Sequence, residues 1–493
     1  MELFFNEQKV KKVQGHTVTQ ALVEGEIPFP EGTEIRKLLD CMGEVETESV
    51  NVSEGTVSIS GRIKLDFICE DTEGEMLSFT SWAGLEHEIS IDGAEKGMEA
   101  EISISLQSLD TRLKEGVIVL TAVVDIDCKV VAGEALKTMY KIDAVEDTQF
   151  KTEVFTCFDT FKIGGGLFRI RDEINALNIS SVIYASGNVV FNDIKTEGIE
   201  ALITGNLLVD LLYLDKNGEY RSDLYTLPFN ETLETEGNYS NISCNGKVEK
   251  INVRVIGEEF DLAAVETQVR IEAFACQENR VSLPVDAYSP SCAFECEKEN
   301  VRLLLNYPNS VFNDTFTEIV NIPEGMAEAA RVLWCSASAS VTSTNTENGI
   351  LTVDGVLFLR SVYQCEKGIL HSFSEDIPFR SENKVSVPDG TEAEVKVLNV
   401  CTSCSGNGKS IEVTFDLTFC AKMYSMTKAS IVSGIRECEA REVPHGIIVY
   451  AAGEHESLFD IGKRFNVSCN RLLETDPDIC EKLRDGKKII LFV

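Results

Sequence analysis

Three tandem β-rich, sandwich-like repeats followed by a small α+β module (β-α-α-β) form the fold class the sequence predicts. Three observations carry the prediction. A glycine-marked hairpin recurs at a period of about 145–150 residues, too long for a solenoid unit and suited to whole domains in tandem. Alternating apolar residues dominate, and helical periodicity is sparse. The last fifty residues then change character, with an apolar run, two short amphipathic helices and a second apolar run. At 493 residues the chain is too long for a single core. The boundaries read as 1–141, 142–285 and 286–440 for the repeats and 444–493 for the module.

The hairpin anchors the register of the copies. In the first, Thr56-Val57-Ser58-Ile59-Ser60-Gly61 leads through Ile63–Cys69 to a turn at Asp71-Thr72-Glu73-Gly74. The second has Gly205, then Leu207–Leu214 and Asp215-Lys216-Asn217-Gly218; the third has Gly355, then Val356–Tyr363 and Glu366-Lys367-Gly368. The two glycines stand 13 residues apart in every copy. They mark a break within a strand and a turn whose glycine takes φ > 0. Ten residues on, copies two and three carry Pro228-Phe229 and Pro378-Phe379, where copy one has Gly84-Leu85. Each copy closes on two alternating strands, Glu99–Ser108 with Gly116–Val131 in the first and Thr391–Cys401 with Ser410–Met423 in the third. Ile142-Asp143-Ala144 matches Val285-Asp286-Ala287-Tyr288 between copies. One helix is expected in the body, at Glu34–Cys41, from apolar Ile35, Leu38 and Leu39.

The net charge of −36 is unevenly placed. From Pro444 onward seven Lys/Arg face eight Asp/Glu, so the repeats hold about 35 of the negative charges. Such a surface repels nucleic acid and anionic lipid. It favours solubility and basic partners. Met1–Glu7 shows no basic start followed by an apolar stretch, so no signal peptide is expected. No apolar run reaches the ~18–20 residues that span a bilayer. Sixteen cysteines then read as reduced thiols in a cytosolic protein.

The motifs that suggest chemistry read as structure. Ser405-Gly406-Asn407-Gly408-Lys409-Ser410 ends like a phosphate loop, but Ile411–Phe415 after it is strand, and phosphate needs a helix N-terminus. A polar hairpin turn is the better reading. Gly164-Gly165-Gly166 lacks dinucleotide spacing. Cys401-Thr402-Ser403-Cys404 is a lone knuckle, whereas structural zinc needs four ligands. None of the five histidines sits in a catalytic pattern. The expectation is a non-enzyme without catalytic residues, metal or cofactor.

Two family resemblances rest on these residues. Ile447-Ile448-Val449-Tyr450, then Glu456–Val467, Arg471–Glu474, Asp476-Pro477-Asp478 and Asp485-Gly486-Lys487-Lys488-Ile489-Ile490-Leu491, resemble a LysM domain. Ile27-Pro28-Phe29-Pro30-Glu31-Gly32 and His371–Phe379 resemble the SPOCS domain of endospore proteins. Tandem SPOCS domains with a C-terminal LysM resemble the SipL-like family of spore morphogenesis proteins, with the middle copy the most divergent. The resemblance implies an assembly protein of the mother-cell cytosol, peripheral at the forespore. It implies capture of the basement-layer ATPase of the spore coat, or of another coat morphogenetic protein, by the LysM module. It also implies a groove with Glu456, Ser457, Leu458 and Phe459 on one wall and Thr475, Asp476, Pro477, Asp478 and Ile479 on the other. A peptidoglycan or chitin-type glycan is the alternative occupant. Yet His455 and Asp476 stand where LysM domains usually have Gly and Asn, and carboxylates on the rim suit a basic protein surface better. A LysM-targeted cell-wall hydrolase is the third reading, although the repeats leave no separate catalytic domain.

Overall fold

The computed structural model describes every residue except 1, 144, 146, 176–177, 238, 240–241, 257–261, 440–445, 454–455, 476–486 and 493. The first repeat comprises β1 (Leu3–Pro28), β2 (Ile35–Ser53), β3 (Thr56–Asp71), β4 (Met76–Ser90), β5 (Glu99–Lys114) and β6 (Val117–Ile142). Antiparallel pairing gives two sheets, β1-β6-β5 and β2-β3-β4. The second repeat has β7 (Gln149–Asn175), β8 (Ile179–Glu197), β9 (Glu200–Asp215), β10 (Tyr220–Glu234), β11 (Ile242–Ile256) and β12 (Leu262–Tyr288). Its sheets are β7-β12-β11 and β8-β9-β10.

The third repeat keeps this order with its first strand split into β13 (Phe294–Asn306) and β14 (Ser310–Asn321). Pro308 lies between the halves and has no N–H for a ladder. Then come β15 (Ala329–Glu347), β16 (Ile350–Cys365), β17 (Leu370–Lys384), β18 (Glu392–Ser405) and β19 (Ser410–Glu437). Both halves and β18 pair with β19, and β15-β16-β17 forms the second sheet.

Alternation places one face of each strand inside. In β3, Val57, Ile59, Ile63, Leu65 and Phe67 are buried; in β16, Leu351, Val353, Leu357 and Leu359 are their counterparts. Each repeat thereby encloses its own core between two sheets.

The recurrent glycines fall on equivalent positions. Gly61, Gly205 and Gly355 sit in the central strands β3, β9 and β16, each beside a bulge in the neighbouring strand (Thr47/Ser49, Phe191/Asp193 and Val341/Ser343). A Cβ there would lie 2.3–2.5 Å from a backbone carbonyl oxygen of that strand, namely Glu46, Val190 or Ser340. Gly74, Gly218 and Gly368 occupy the following turns with φ of 90°, 76° and 78°. The Pro-Phe motif gains a role as well. Phe229 pairs with Gly205 and Phe379 with Gly355, so each ring covers the backbone the glycine leaves bare, and Leu85 pairs with Gly61 in the first repeat.

Two expectations are corrected. Glu34–Cys41 is not helical: β2 begins at Ile35 and pairs with β3. Bulges between Ile35 and Lys37 and between Leu38 and Asp40 break the two-residue alternation. That gives Ile35, Leu38 and Leu39 a spacing that imitates a helix. The closing strands also run on past Val131 and Met423, to Ile142 and Glu437.

These extensions help to fuse the repeats. Val10, Leu136, Leu283, Val301, Leu303, Ala429 and Ile431 form one apolar cluster drawn from all three copies. A second shared cluster joins Leu39, Ile68, Met76, Leu212, Leu333, Trp334, Val362 and Leu370. Polar contacts follow the same seam. Lys37 Nζ donates to the Leu370 carbonyl (2.8 Å), and Arg360 Nη2 donates to the Leu109 carbonyl (2.8 Å). Asp40, fully buried, accepts from Ser336 Oγ at 2.6 Å and from the Cys41 amide at 2.8 Å, and burial pushes its carboxyl up. The repeats are therefore one packed body, since each buries apolar surface of the others.

The seam contains a titratable weak point. Asp210 lines a cavity of about 280 Å³ between the repeats, and burial pushes its carboxyl up to about 6. The native pKa lies above the unfolded one, so the ionised carboxylate opposes folding at pH above 6, and that cost fades as pH falls from about 6 to 4. Asp210→Asn is expected to raise stability at pH 8 by up to about 3 kcal/mol. The gain should vanish near pH 4 in urea titrations. A gain that does not depend on pH would contradict this account.

Candidate partner-binding site

The C-terminal elements are β20 (Ile447–Ala451), α1 (Leu458–Phe465), α2 (Cys469–Thr475) and β21 (Lys488–Phe492). The strands pair antiparallel, with Val449 opposite Ile490. Alternation sends Ile489 and Leu491 inward, where they meet Leu458, Ile461, Val467 and Leu472 in a separate small core.

Local chemistry explains why α1 starts and stops where it does. Ser457 caps it: its Oγ accepts from the Asp460 amide (3.2 Å), while the Asp460 carboxylate accepts from the Ser457 amide (3.0 Å). Burial opposes ionisation of Asp460, but hydrogen bonds from Ser457 and Lys151 hold its carboxyl below the usual range. Asn466 ends the helix in the left-handed conformation at φ 56°.

The structure gives each predicted groove residue a place. Glu456 is used inside the module: it accepts from the Tyr450 hydroxyl (2.9 Å) and the Gly453 amide (3.0 Å), and it pairs with Arg464 at 2.8 Å. Ser457 is the cap. Leu458 is 6% exposed and belongs to the module's core. Phe459 faces the body, with its ring 5.0 Å from that of Tyr288 and nearly perpendicular to it. Thr475 is exposed at the end of α2, where its hydroxyl donates to the Arg471 carbonyl (2.9 Å). Asp476, Pro477, Asp478 and Ile479 lie outside the described residues. The first wall is thus committed to internal contacts.

The body residues that hold α1 carry no motif of their own. Tyr288, at the end of β12, donates its hydroxyl to the Val467 carbonyl at 2.8 Å. Gly462 makes room for it, since a Cβ there would lie 2.1 Å from the Tyr288 oxygen. Lys463 pairs with Asp286 at 2.6 Å, Lys151 pairs with Asp460 at 3.0 Å, and Asn466 Nδ2 donates to the Pro290 carbonyl at 2.9 Å. In the sequence, Asp286 and Tyr288 are visible only as a repeat-boundary match. The opposite side of the module is open: Ile447, Val449 and Ile490 are 70%, 64% and 49% exposed.

The other sequence motifs fall in plain surroundings. Gly406 and Gly408 turn the chain between β18 and β19, with Lys409 largely exposed. Cys401 is a strand residue whose thiol burial pushes up to about 12. Among the described residues no group of three His, Cys, Asp or Glu is placed to hold a metal, and no helix is long and apolar enough to cross a membrane.

No curated protein and no solved structure matched the chain. Residues 34–114 and 328–404 match the family model described as SipL, SPOCS domain. The matched segments coincide with β2–β5 of the first repeat and β15–β18 of the third, and β8–β11 repeat the same strand order in the second. The chain therefore carries segments like the SipL SPOCS domain in tandem, a likeness that points to a sporulation-related protein.

Proposed function

We propose that this protein is a non-enzymatic tether in assembly of the endospore envelope, acting on the mother-cell side of the forespore. Its C-terminal module, read as a LysM domain, recruits it to a protein partner. The observation that carries this reading is the pair of segments matching the SPOCS domain in a body whose three repeats pack as one unit. A fused body with one small appended module suits bridging: the body presents an acidic surface, and the module presents an apolar sheet face at a fixed position. The partner the resemblance implies is the basement-layer ATPase of the spore coat.

With Phe459 and Asp460 engaged by the body, the apolar surface available for capture among the described residues of the module is the outer face of β20 and β21. Co-precipitation from sporulating cells, with the recovered protein identified by mass spectrometry, tests the reading. Wild type should recover the coat ATPase. Val449→Asp should lose it with an unchanged circular dichroism spectrum, because a carboxylate at a desolvated contact costs several kcal/mol. Saturable binding of muropeptides or chitin oligomers, with no coat protein recovered, would replace protein capture with glycan recognition.

A further inference from the structure

We propose that a cavity at the junction of the three repeats, lined by Lys11, Lys129, Lys396 and Lys422, binds a small oxyanion of two or more negative charges, a phosphate or carboxylate compound. The inference is independent of what the terminal module captures.

Across the chain acidic side chains outnumber basic ones by 81 to 45. The lining of this cavity, about 290 Å³, reverses that balance: four lysines face two carboxylates, Glu101 and Glu394. Every repeat contributes, with Lys129 on β6, Asn245 on β11, Lys396 on β18 and Lys422 on β19. A concentration of cations at the seam of so acidic a molecule runs against its composition.

Two of the lysines are accounted for by the protein itself. Lys129, whose side chain is 4% exposed, pairs with Glu394 and holds its Nζ 3.6 Å from the centre of the Tyr424 ring. Lys11 has Asp159 at 3.9 Å, the outer limit of an ion pair. Lys396 and Lys422 differ: among the described residues neither has a carboxylate within ion-pair distance. Lys396 donates only to the Ile102 carbonyl, at 3.3 Å. Burial lowers its pKa most, and the neighbouring Lys422 ammonium lowers it further, against opposing influences from Glu394, Cys420 and Asp127.

Two like charges sharing a partly desolvated cavity disfavour each other. An anion between them relieves the repulsion and gains charge-assisted hydrogen bonds from both. Asn245 and Asn306 also line the cavity, and their amides can supply neutral donors. The volume sits at the low end for small-molecule sites, roughly 300 Å³, which suits a compact ligand.

Isothermal titration calorimetry at low ionic strength tests this, with pyrophosphate and citrate as separate probes. Full-length protein should bind at least one of them saturably at one site, and the preferred probe identifies the phosphate or the carboxylate class. Lys396→Gln combined with Lys422→Gln should weaken binding by about tenfold or more. Lys367→Gln, in an exposed turn, should leave it unchanged. Lys422→Gln alone, at an exposed position, should weaken it several-fold and covers the case in which the double variant misfolds. Absence of saturable binding to both probes, or equal affinity in the Lys422→Gln variant, overturns the proposal.

Discussion

Tyr288→Ala is expected to release the C-terminal module from the body while leaving the three repeats folded. The side chain is 5% exposed and makes the central contact of the docking: its ring meets Phe459 edge-on, and its hydroxyl donates to the Val467 carbonyl. Burial pushes its phenol far above the usual range, so it stays a neutral donor at any physiological pH. Truncating a buried aromatic side chain costs about 3–5 kcal/mol, and here most of that loss falls on one small interface. The other ties are the half-exposed ion pairs of Lys463 with Asp286 and Lys151 with Asp460, worth about 0–1 kcal/mol each, and the exposed hydrogen bond from Asn466 to the Pro290 carbonyl. Hydrogen exchange should therefore show faster exchange across α1 and no change in β3, β9 and β16. Tyr288→Phe keeps the ring but leaves the Val467 carbonyl without that donor, and should give a smaller effect. If α1 exchange is unchanged in the alanine variant, Tyr288 does not hold the module.

Gly355→Ala is expected to destabilise the third repeat strongly, although alanine normally suits a strand interior better than glycine. A Cβ at 355 would lie 2.4 Å from the Ser340 carbonyl oxygen and 2.4 Å from Phe379 Cζ. The oxygen belongs to a paired strand and cannot swing aside, and the ring is packed in the core. Overpacking of this kind costs about 1–3 kcal/mol, and more where backbone must move. Gly25→Ala is the matched control, because a Cβ there meets nothing within 4 Å. Thermal unfolding should separate the two variants by several degrees. Equal melting temperatures would mean that the close approach of β15 and β16 at this position does not govern stability.

The recurrence of such glycines is what makes the body legible from sequence. A single glycine within an alternating run is ambiguous, but its repetition 13 residues ahead of a second glycine locates the hairpin in three places. Phe229 and Phe379 are visible as a motif, but only the strand register shows that each ring covers the glycine opposite it. Residues 35–41 mislead for a local reason: two bulges within a few residues produce helical spacing in a strand whose hydrogen bonds come from β3, some thirty positions away.

The β-rich repeats, their central hairpins and the order of the terminal module were all written in short-range patterns: alternation, turn glycines, and two short amphipathic stretches between apolar runs. Packing in three dimensions added what those patterns do not hold. The repeats share two apolar clusters, lysines from separate repeats face one cavity, and α1 docks on Tyr288. Most of these contacts join residues more than a hundred positions apart. No local period encodes them, because a buried face reads the same whether its own repeat or a neighbour covers it. Residues 456–459 show this most directly: the resemblance to a LysM domain places them on a groove wall, and only the packing shows Ser457 as the helix cap, Leu458 in the module's core and Phe459 against Tyr288.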